Sequence, residues 1–291
     1  MLQELSSNQR YNRFYRYGRI RCRNSFHIGQ GGKSEMSIAL ALVGTDGILV
    51  ATDSATMSYK NAILEIANDS QKLWTLKDNL ALMHVTTDRE FTDWIREDIE
   101  VVTGLDKLRK LGFKGKVQSL SAYLISKYGI YYQYPESMEQ AIAMTGENDV
   151  MEFVIAGYTK YTKSKIAQIV SLRSGIGASL FRPRPHHNWH IAGVIDVANY
   201  LFDKVCLGLY SNKWNGEPLQ TTKILQNVAA WIIYEMSQRT KTVGFPIQMA
   251  VIPKDGDLYH VKKKDILRLQ EIVTDKSKRL KELTLNELIN P

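Results

Sequence analysis

The sequence is poor in cysteine and has no long hydrophobic segment. Its 291 residues include only two cysteines, Cys22 and Cys206, which excludes a fold stapled by disulfides and is typical of a reducing compartment. No apolar run approaches the roughly 18 residues that a membrane-spanning helix needs. No apolar segment typical of a secretory signal lies near the N-terminus. These absences predict a cytoplasmic protein that does not enter a membrane.

Positive charge is concentrated at the start of the chain. The formal net charge is +8, and residues 1–35 hold seven Lys or Arg against two Glu, a net of +5. Arginines alternate there with tyrosine and phenylalanine, and the segment ends in a glycine-rich stretch that favours a flexible join. We predict that residues 1–35 are a basic flexible arm, either a propeptide or an untranslated leader. An organelle presequence and a nucleic-acid-binding arm remain alternatives.

From Met36 onward, strands and helices are predicted in separate blocks. Apolar runs flank Asp46-Gly47 and Asp255-Gly256, which predicts two β-hairpins. Helical spacing predicts helices over 88–111, 116–133, 194–210 and 220–238 and a charged helical tail over 262–291. Because strands and helices are grouped rather than alternating, we expect an α+β fold in which helices cover two antiparallel sheets.

Three segments match the pattern of one known family in the same order. The stretch that begins at Ser37 holds a short apolar strand, the Asp-Gly turn and a return strand that ends in Ala-Thr-Asp53-Ser. Gln71-Lys72-Leu73 opens a later strand, and Gly244-Phe-Pro-Ile-Gln-Met-Ala-Val-Ile252 follows near the C-terminus. These motifs resemble proteasome β-type subunits and their bacterial proteasome-like relatives, which are N-terminal-nucleophile (Ntn) hydrolases. The resemblance covers residues 36–261 and implies a four-layer αββα sandwich.

The same resemblance implies an active site. Ser37 takes the position of the nucleophile, and Asp53 takes that of the family's acidic residue without a gap between them. Lys72 takes the position of the active-site lysine. His84 stands where the family has a glycine whose backbone N–H stabilises the oxyanion, so a backbone donor is retained at that position.

The chemistry implied for such a site depends on a free amine at the nucleophile. A serine hydroxyl is a poor nucleophile until a base takes its proton, and an α-amine with a pKa near 8 can act as that base. A buried lysine nearby lowers the local proton affinity, and an aspartate holds the lysine in place. Removal of an initiator Met36, or cleavage of the leader, would expose Ser37. We therefore predict that the active form begins at Ser37.

Two other polar motifs have plainer explanations. Gly29-Gln-Gly-Gly-Lys33-Ser34 resembles a phosphate-binding loop, but His27 occupies the place of its first glycine and no strand precedes it. His186, His187 and His190 match no common zinc spacing and have no cysteine partners, so a polar loop is favoured. No metal or organic cofactor is predicted.

The leading functional prediction is a peptidase that hydrolyses amide bonds in a polypeptide or a small amide substrate and works as a homo-oligomer. Three positions depart from the family: serine replaces the usual threonine nucleophile, Ala192 replaces an auxiliary serine, and Thr240 lies near the place of a supporting aspartate. Because of these departures, a non-catalytic scaffold subunit of the same fold is the first alternative. A nucleic-acid-binding protein that uses the basic arm is the second and is less favoured.

Overall fold

The computed structural model describes most of the predicted domain. The described residues are 37–60, 63–68, 70–76, 79–86, 111–133, 151–161, 164–174, 181–193, 195–213, 216–240 and 243–279. The predicted arm over 1–35, and the predicted helix over 88–111 except its last residue, lie outside them. The chain divides into two compact units, Met1–Gly32 with Asn61–Ile63, and Lys33–Lys60 with Leu64–Pro291. The side-chain contacts discussed below all lie within the second unit.

The described residues contain twelve strands and four helices. The strands are β1 (Ile38–Val43), β2 (Gly47–Thr52), β3 (Thr56–Lys60), β4 (Ile63–Ala67), β5 (Leu73–Leu76), β6 (Leu80–Thr86), β7 (Met151–Tyr161), β8 (Ser164–Arg173), β9 (Pro183–His186), β10 (Trp189–Gly193), β11 (Gln248–Pro253) and β12 (Tyr259–His260). The helices are α1 (Phe113–Gln133), α2 (Ile195–Leu209), α3 (Thr222–Ser237) and α4 (Lys263–Arg279). No described helix is both long and apolar enough to cross a membrane.

Ten of the strands form two five-stranded antiparallel sheets. The first sheet has the order β10-β1-β2-β11-β12, and the second has the order β5-β6-β7-β8-β9; β3 and β4 pair separately. The predicted Asp46-Gly47 turn joins β1 to β2, and Ala41 pairs with Val50 across them. In the first sheet, strands from the start of the domain therefore lie between strands from its end.

Apolar side chains fill three layers around the two sheets. Small residues such as Ala39, Ala81, Ala156 and Ala250 lie between the sheets, which lets the two backbones approach closely. The outer face of the first sheet packs against α2, α3 and α4. The outer face of the second packs against α1. This arrangement confirms the predicted α+β sandwich of two antiparallel sheets covered by helices, and it explains why every residue of β1 and β2 is buried.

The hairpin turn between β1 and β2 also anchors helix α3. Thr222 donates to the Asp46 carboxylate twice, from its N–H to Oδ1 (2.7 Å) and from its Oγ1 to Oδ2 (3.1 Å). Thr221, at the N-cap position, makes no side-chain capping hydrogen bond of its own. Asp46 therefore supplies the acceptor that the first turn of the helix needs. Gly47 is required beside it, because an added Cβ would lie 2.7 Å from the carbonyl oxygen of Ile252.

The expectation of a polar loop around the three histidines is wrong. Pro183–His186 is strand β9 and His190 lies in β10, so only the two residues between the strands form a turn. Strand β9 is the last strand of the second sheet, and an edge strand tolerates proline because one side of its backbone has no ladder to complete. The prolines of this segment argue against a strand in the sequence, although Pro183–His186 forms one.

The charged tail contributes to the core. Helix α4 buries Ile266, Leu269 and Val273 in the same apolar cluster as α3, while most of its other described side chains are partly or fully exposed. The spacing of these three residues matches one face of an α-helix. Helix α4 therefore extends the apolar cluster on the outer face of the first sheet.

Candidate active site

Three of the residues predicted for the site meet at one end of the paired sheets. Ser37 directly precedes β1 and Asp53 directly follows β2, and antiparallel pairing of Ala39 with Thr52 brings these two residues together. Lys72 directly precedes β5 of the second sheet. All three are buried: Ser37 is 3% exposed, and the other two are fully inaccessible.

The ammonium group of Lys72 is the centre of this cluster. Its Nζ donates hydrogen bonds to Ser37 Oγ and to the carbonyl oxygen of Ala55. The same Nζ lies 3.1 Å from Asp53 Oδ1 and 3.2 Å from Oδ2. One ammonium has three hydrogens, so all of them have acceptors here. The structure brings Ser37, Asp53 and Lys72 into direct contact, while their catalytic role stays a prediction.

Backbone donors fix the position of the Asp53 carboxylate. Its Oδ1 accepts from the N–H of Ile38 at 3.1 Å. Its Oδ2 accepts from the N–H of Ala55 at 2.9 Å and from the N–H of Gly244 at 3.3 Å. The carboxylate is thereby tied to the start of β1, to its own loop and to the segment before β11. A group held from three sides can orient Lys72 without rearrangement.

Burial brings the proton affinities of the acid and the amine closer together. Desolvation raises the pKa of Asp53, against the charge of Lys72 and the hydrogen bonds from Ile38 and Ala55. Desolvation lowers the pKa of Lys72, against the charge and hydrogen bonding of Asp53. A pair in which both charged forms are disfavoured can redistribute protons at less cost than the same pair in water.

The predicted role of His84 as a backbone oxyanion donor is wrong. Its N–H donates to the carbonyl oxygen of Lys72 at 3.1 Å, which continues the ladder between β5 and β6. Its ring is fully buried, with the ring centroid of Trp74 at 4.7 Å and that of Phe153 at 6.2 Å. Burial, and then the charge of Lys72, keep the pKa of His84 well below its usual range. His84 is therefore a neutral core side chain behind the lysine.

Two residues near the site were not identified from the sequence. The side-chain amide of Gln248 forms hydrogen bonds with the backbone of Ser70, Lys72 and Leu73. Gly193 has φ of +96°, and an added Cβ would lie 1.7 Å from the carbonyl oxygen of Ser37. The available signal for Gln248 is its polarity within the otherwise apolar segment 247–252.

A second polar cluster lies between the sheets, on strands β7, β8, β9 and β10. Glu152 Oε1 forms a salt bridge with Arg173 Nε at 2.8 Å and a hydrogen bond with His190 Nε2 at 2.7 Å. The ring of His186 stacks on that of His190 with 3.7 Å between centroids, and its Nε2 lies 2.9 Å from Ser171 Oγ. Within the described ranges, no group of three or more His, Cys, Asp or Glu side chains is placed to hold a metal ion.

Electrostatics in this second cluster favour fixed protonation states. Burial pushes the pKa of Glu152 upward, but hydrogen bonds and charge from His190 and Arg173 outweigh it, so the pKa lies below its ordinary value. Burial, followed by the charge of His190, lowers the pKa of His186 to about 3. Glu152 is thus ionised and His186 neutral near pH 7, which suits a structural link between sheets.

The fold is shared with solved structures of Anbu proteins. Anbu (ancestral beta-subunit) from Yersinia bercovieri is 11% identical over 85% of this chain and 99% of its own, with a TM-score of 0.55. The Gly-1 mutant of Anbu from Hyphomicrobium sp. strain MC1 is 11% identical over 84% of this chain and 95% of its own, with a TM-score of 0.53. Another structure of Anbu from the same strain is 10% identical, covers 83% and 95%, and has a TM-score of 0.51. No protein-family model and no curated protein matches the chain.

These similarities correct the family assignment made from the motifs. The motifs predict a proteasome β-type subunit or one of its bacterial relatives. The similar structures are instead Anbu proteins, which are proteasome-like but form a distinct group. The motif around Ser37, Asp53 and Lys72 reflects the fold, which Anbu and proteasome subunits have in common, and does not separate the two groups. At about 11% identity, the likeness concerns the fold alone.

Proposed function

We propose that this protein is an N-terminal-nucleophile hydrolase that cleaves amide bonds, with Ser37 as its nucleophile. The observation that carries the proposal is the contact of a fully buried Lys72 Nζ with both Ser37 Oγ and the Asp53 carboxylate. Burying a lysine and an aspartate costs several kcal/mol per ion before their attraction is counted. A hydroxyl at the end of such a pair is the arrangement that activates a nucleophile.

The reaction begins once Ser37 is the first residue of the chain. Its α-amine takes the hydroxyl proton as Oγ attacks the substrate carbonyl carbon, and the adjacent Lys72 ammonium stabilises the negative charge of the alkoxide. Collapse of the tetrahedral intermediate breaks the C–N bond, and the α-ammonium returns the proton to the leaving amine. Attack by water on the resulting ester releases the acid and regenerates the Oγ–H of Ser37.

Asp53 keeps Lys72 in its charged form during this cycle. Burial alone favours neutral lysine, and the carboxylate opposes that tendency at 3.1 Å. Because Asp53 also holds the N–H groups of Ile38 and Ala55, it aligns the start of β1 with the lysine. Substituting Asp53 by Asn keeps the shape and removes the charge, so it tests this role separately from that of the nucleophile.

The direct test uses the protein expressed from its full-length sequence. It identifies the N-terminal residue of that protein and the residue that a covalent inhibitor labels. We expect mass spectrometry to find a form that begins at Ser37, and a peptide β-lactone to acylate Ser37 Oγ. Ser54 is the matched control, since it is equally buried nearby and its Oγ donates to the Pro246 carbonyl oxygen at 2.6 Å. Ser37→Ala should remove labelling and hydrolysis of fluorogenic peptide amides, and Ser37→Thr should keep both. Labelling elsewhere, or hydrolysis by a chain that retains residues 1–36, would contradict the proposal.

A non-catalytic subunit of the same fold is the second candidate. Ala192 is fully buried between the sheets and offers no hydroxyl where the family has an auxiliary serine. Thr240 is buried, and its N–H bonds to the carbonyl oxygen of Met236 at 2.9 Å. A folded protein whose bond before Ser37 stays intact and which takes no label would favour this candidate.

Assembly into a homo-oligomer and a cytoplasmic location complete the proposal. Helix α2 exposes 69% of Leu207 and 56% of Tyr200, and Leu219 is half exposed. Large apolar side chains at the surface are common at subunit interfaces. The low cysteine content supports a reducing compartment. Light scattering should give a multiple of the subunit mass, which is 33.2 kDa for the uncleaved chain. Leu207→Glu should reduce the mass of the assembly if α2 forms the contact.

A further inference from the structure

The three residues of the candidate site belong to two different sheets. Ser37 and Asp53 flank strands of the first sheet, and Lys72 opens the edge strand β5 of the second. Between the sheets lie mostly small and branched apolar side chains. Apolar packing is non-directional and does not by itself set the distance between one lysine and one serine. Directional contacts are better suited to hold the segment around Lys72 against the first sheet, and the backbone bond from Ser70 N–H to the Ser54 carbonyl oxygen at 3.2 Å is one of them.

The side-chain amide of Gln248 makes further directional contacts. Its Oε1 accepts from the N–H of Lys72 at 3.1 Å and from the N–H of Leu73 at 3.2 Å. Its Nε2 donates to the carbonyl oxygen of Ser70 at 2.6 Å. Two N–H donors on one atom and a carbonyl acceptor on the other fix which end of the amide is oxygen.

The position of Gln248 in the first sheet makes these bonds relevant to the site. It is the first residue of β11 and pairs with Thr52, the residue before Asp53. Among the strands that the structure describes, β5 has only β6 as a neighbour in its own sheet, so backbone donors on its other edge need partners from elsewhere. Gln248 supplies an acceptor to that edge from the strand next to Asp53.

We propose that Gln248 is a positioning residue that holds residues 70–73 against the first sheet, so that Lys72 Nζ reaches Ser37 and Asp53. This inference rests on the proposed function, because the site it serves is the proposed active site. Gln248 touches neither Ser37 nor the substrate position directly, and its effect passes through the backbone of Lys72.

The chain contains a matched contact that does not involve the site. Asn79, in the turn after β5, donates from Nδ2 to the carbonyl oxygen of Gly256 at 2.7 Å and accepts from the N–H of Leu258 at 3.0 Å. It also links the two sheets by a side-chain amide, but beyond the opposite end of β5 from Lys72. Because its φ is +57°, Asn79→Gly removes the side chain without straining the backbone.

The experiment compares Gln248→Met, Gln248→Glu and Asn79→Gly in the full-length protein. Methionine keeps the length of glutamine and removes all three hydrogen bonds, while glutamate keeps an acceptor for the N–H groups of Lys72 and Leu73. For Gln248→Met we expect amide exchange over residues 70–76 to rise at least about 10-fold. A small displacement of a reacting group can cost about 10²-fold in rate, so we expect kcat to fall about 10- to 100-fold with KM within about 3-fold. Gln248→Glu should retain more of kcat, and Asn79→Gly should leave kcat unchanged.

NMR of the ¹⁵N-labelled lysine Nζ keeps this test separate from that of the proposed function. If the wild-type protein hydrolyses nothing, the proposed function fails, while a shift of the Lys72 Nζ resonance in Gln248→Met and not in Asn79→Gly still supports positioning. An unchanged resonance together with unchanged exchange would overturn the positioning role. An equal loss of kcat in Asn79→Gly would also overturn it, because a general loosening of the sheets would then explain the effect.

Discussion

Two carboxylates are buried near the interface between the sheets, and they differ in what surrounds them. Among the described residues Asp53 has one cationic partner, Lys72, and both side chains are fully inaccessible to solvent. Glu152 has two basic partners, and the Arg173 side chain among them keeps 18% of its surface exposed. Burial raises the pKa of Asp53, whereas the partners of Glu152 overcome its burial and lower its pKa.

The difference separates a pair whose proton affinities have been brought closer together from a carboxylate that holds a fixed charge. Desolvation of Asp53 and Lys72 penalises the charged form of each, so their proton affinities approach one another. In the Glu152 cluster the Arg173 side chain is partly exposed to solvent, and Arg173 and His190 together stabilise the Glu152 carboxylate. A perturbed pair beside a hydroxyl is therefore the better candidate for chemistry, and a satisfied anion between sheets is the better candidate for stability.

Replacing the cation of each cluster should give the largest contrast. Lys72→Met is expected to lower kcat/KM for peptide amides by at least about 10³-fold, because the alkoxide loses its neighbouring charge. It should also destabilise the fold by about 3 kcal/mol or more, since Asp53 is left buried without a cation. Arg173→Met should keep kcat/KM within about 3-fold. Steady-state kinetics measure kcat/KM, and urea unfolding measures the stability of each variant. Equal losses of activity in Lys72→Met and Arg173→Met would show that the two clusters do not differ in function.

His84 lies behind Lys72 but should behave as part of the core. His84→Ala removes a fully buried ring that packs against Trp74 and Phe153. We expect a loss of about 3 kcal/mol in the free energy of unfolding, in the range for large core truncations. Activity per folded molecule should change little, because the backbone N–H of His84 is engaged by Lys72. Higher activity with unchanged stability would mean that the ring obstructs the site.

Asp46 provides a carboxylate outside both clusters as a reference. Asp46→Ala removes the acceptor for both Thr222 donors at the start of helix α3. The expected loss is about 1 kcal/mol of unfolding free energy, typical of a lost helix cap, with kcat unchanged. Asp46→Asn should recover part of that stability because its side-chain oxygen still accepts one bond. A loss above about 3 kcal/mol would show that the turn does more than cap the helix.

The smallest expected effect is the acid sensitivity of the second cluster. Burial lowers the pKa of His186 to about 3, so the folded protein keeps this imidazole neutral while the unfolded chain protonates below about pH 6.5. Its contribution to stability is complete above about pH 6.5 and is lost as the pH falls towards 3. Because the ring is partly exposed, the total loss between pH 7 and 5 should stay under about 1 kcal/mol. Urea midpoints between pH 7 and 5 should fall less in His186→Gln than in the wild type, and parallel pH profiles would refute the assignment.

A local sequence pattern predicts the first hairpin, and the family resemblance names three residues that the structure brings into contact, although their catalytic role stays a prediction. The Asp46-Gly47 turn between two apolar runs fixes how β1 pairs with β2, and that pairing brings Ser37 beside Asp53. The direction of the His84 N–H was not predictable in this way, because it depends on the register of β5 against β6. Gln248 was missed because its partners lie about 175 residues away in sequence. The assignment to one proteasome-like group failed because the motif reports a fold common to several.

The strand order of the first sheet has a consequence for synthesis on the ribosome. Strand β1 needs β10 on one side and β2 needs β11 on the other, yet β11 begins about 200 residues after β2. At typical elongation rates of about 5–20 residues per second, roughly 10–40 s pass between synthesis of the apolar first hairpin and synthesis of β11, which covers its second edge. Open apolar edges invite pairing with other chains, so a nascent-chain chaperone would have an early binding site here. The contacts that Gly244 makes with Asp53 and that Gln248 makes with residues 70–73 form only after both residues emerge. Any cleavage before Ser37 that depends on these contacts therefore follows translation of nearly the whole domain.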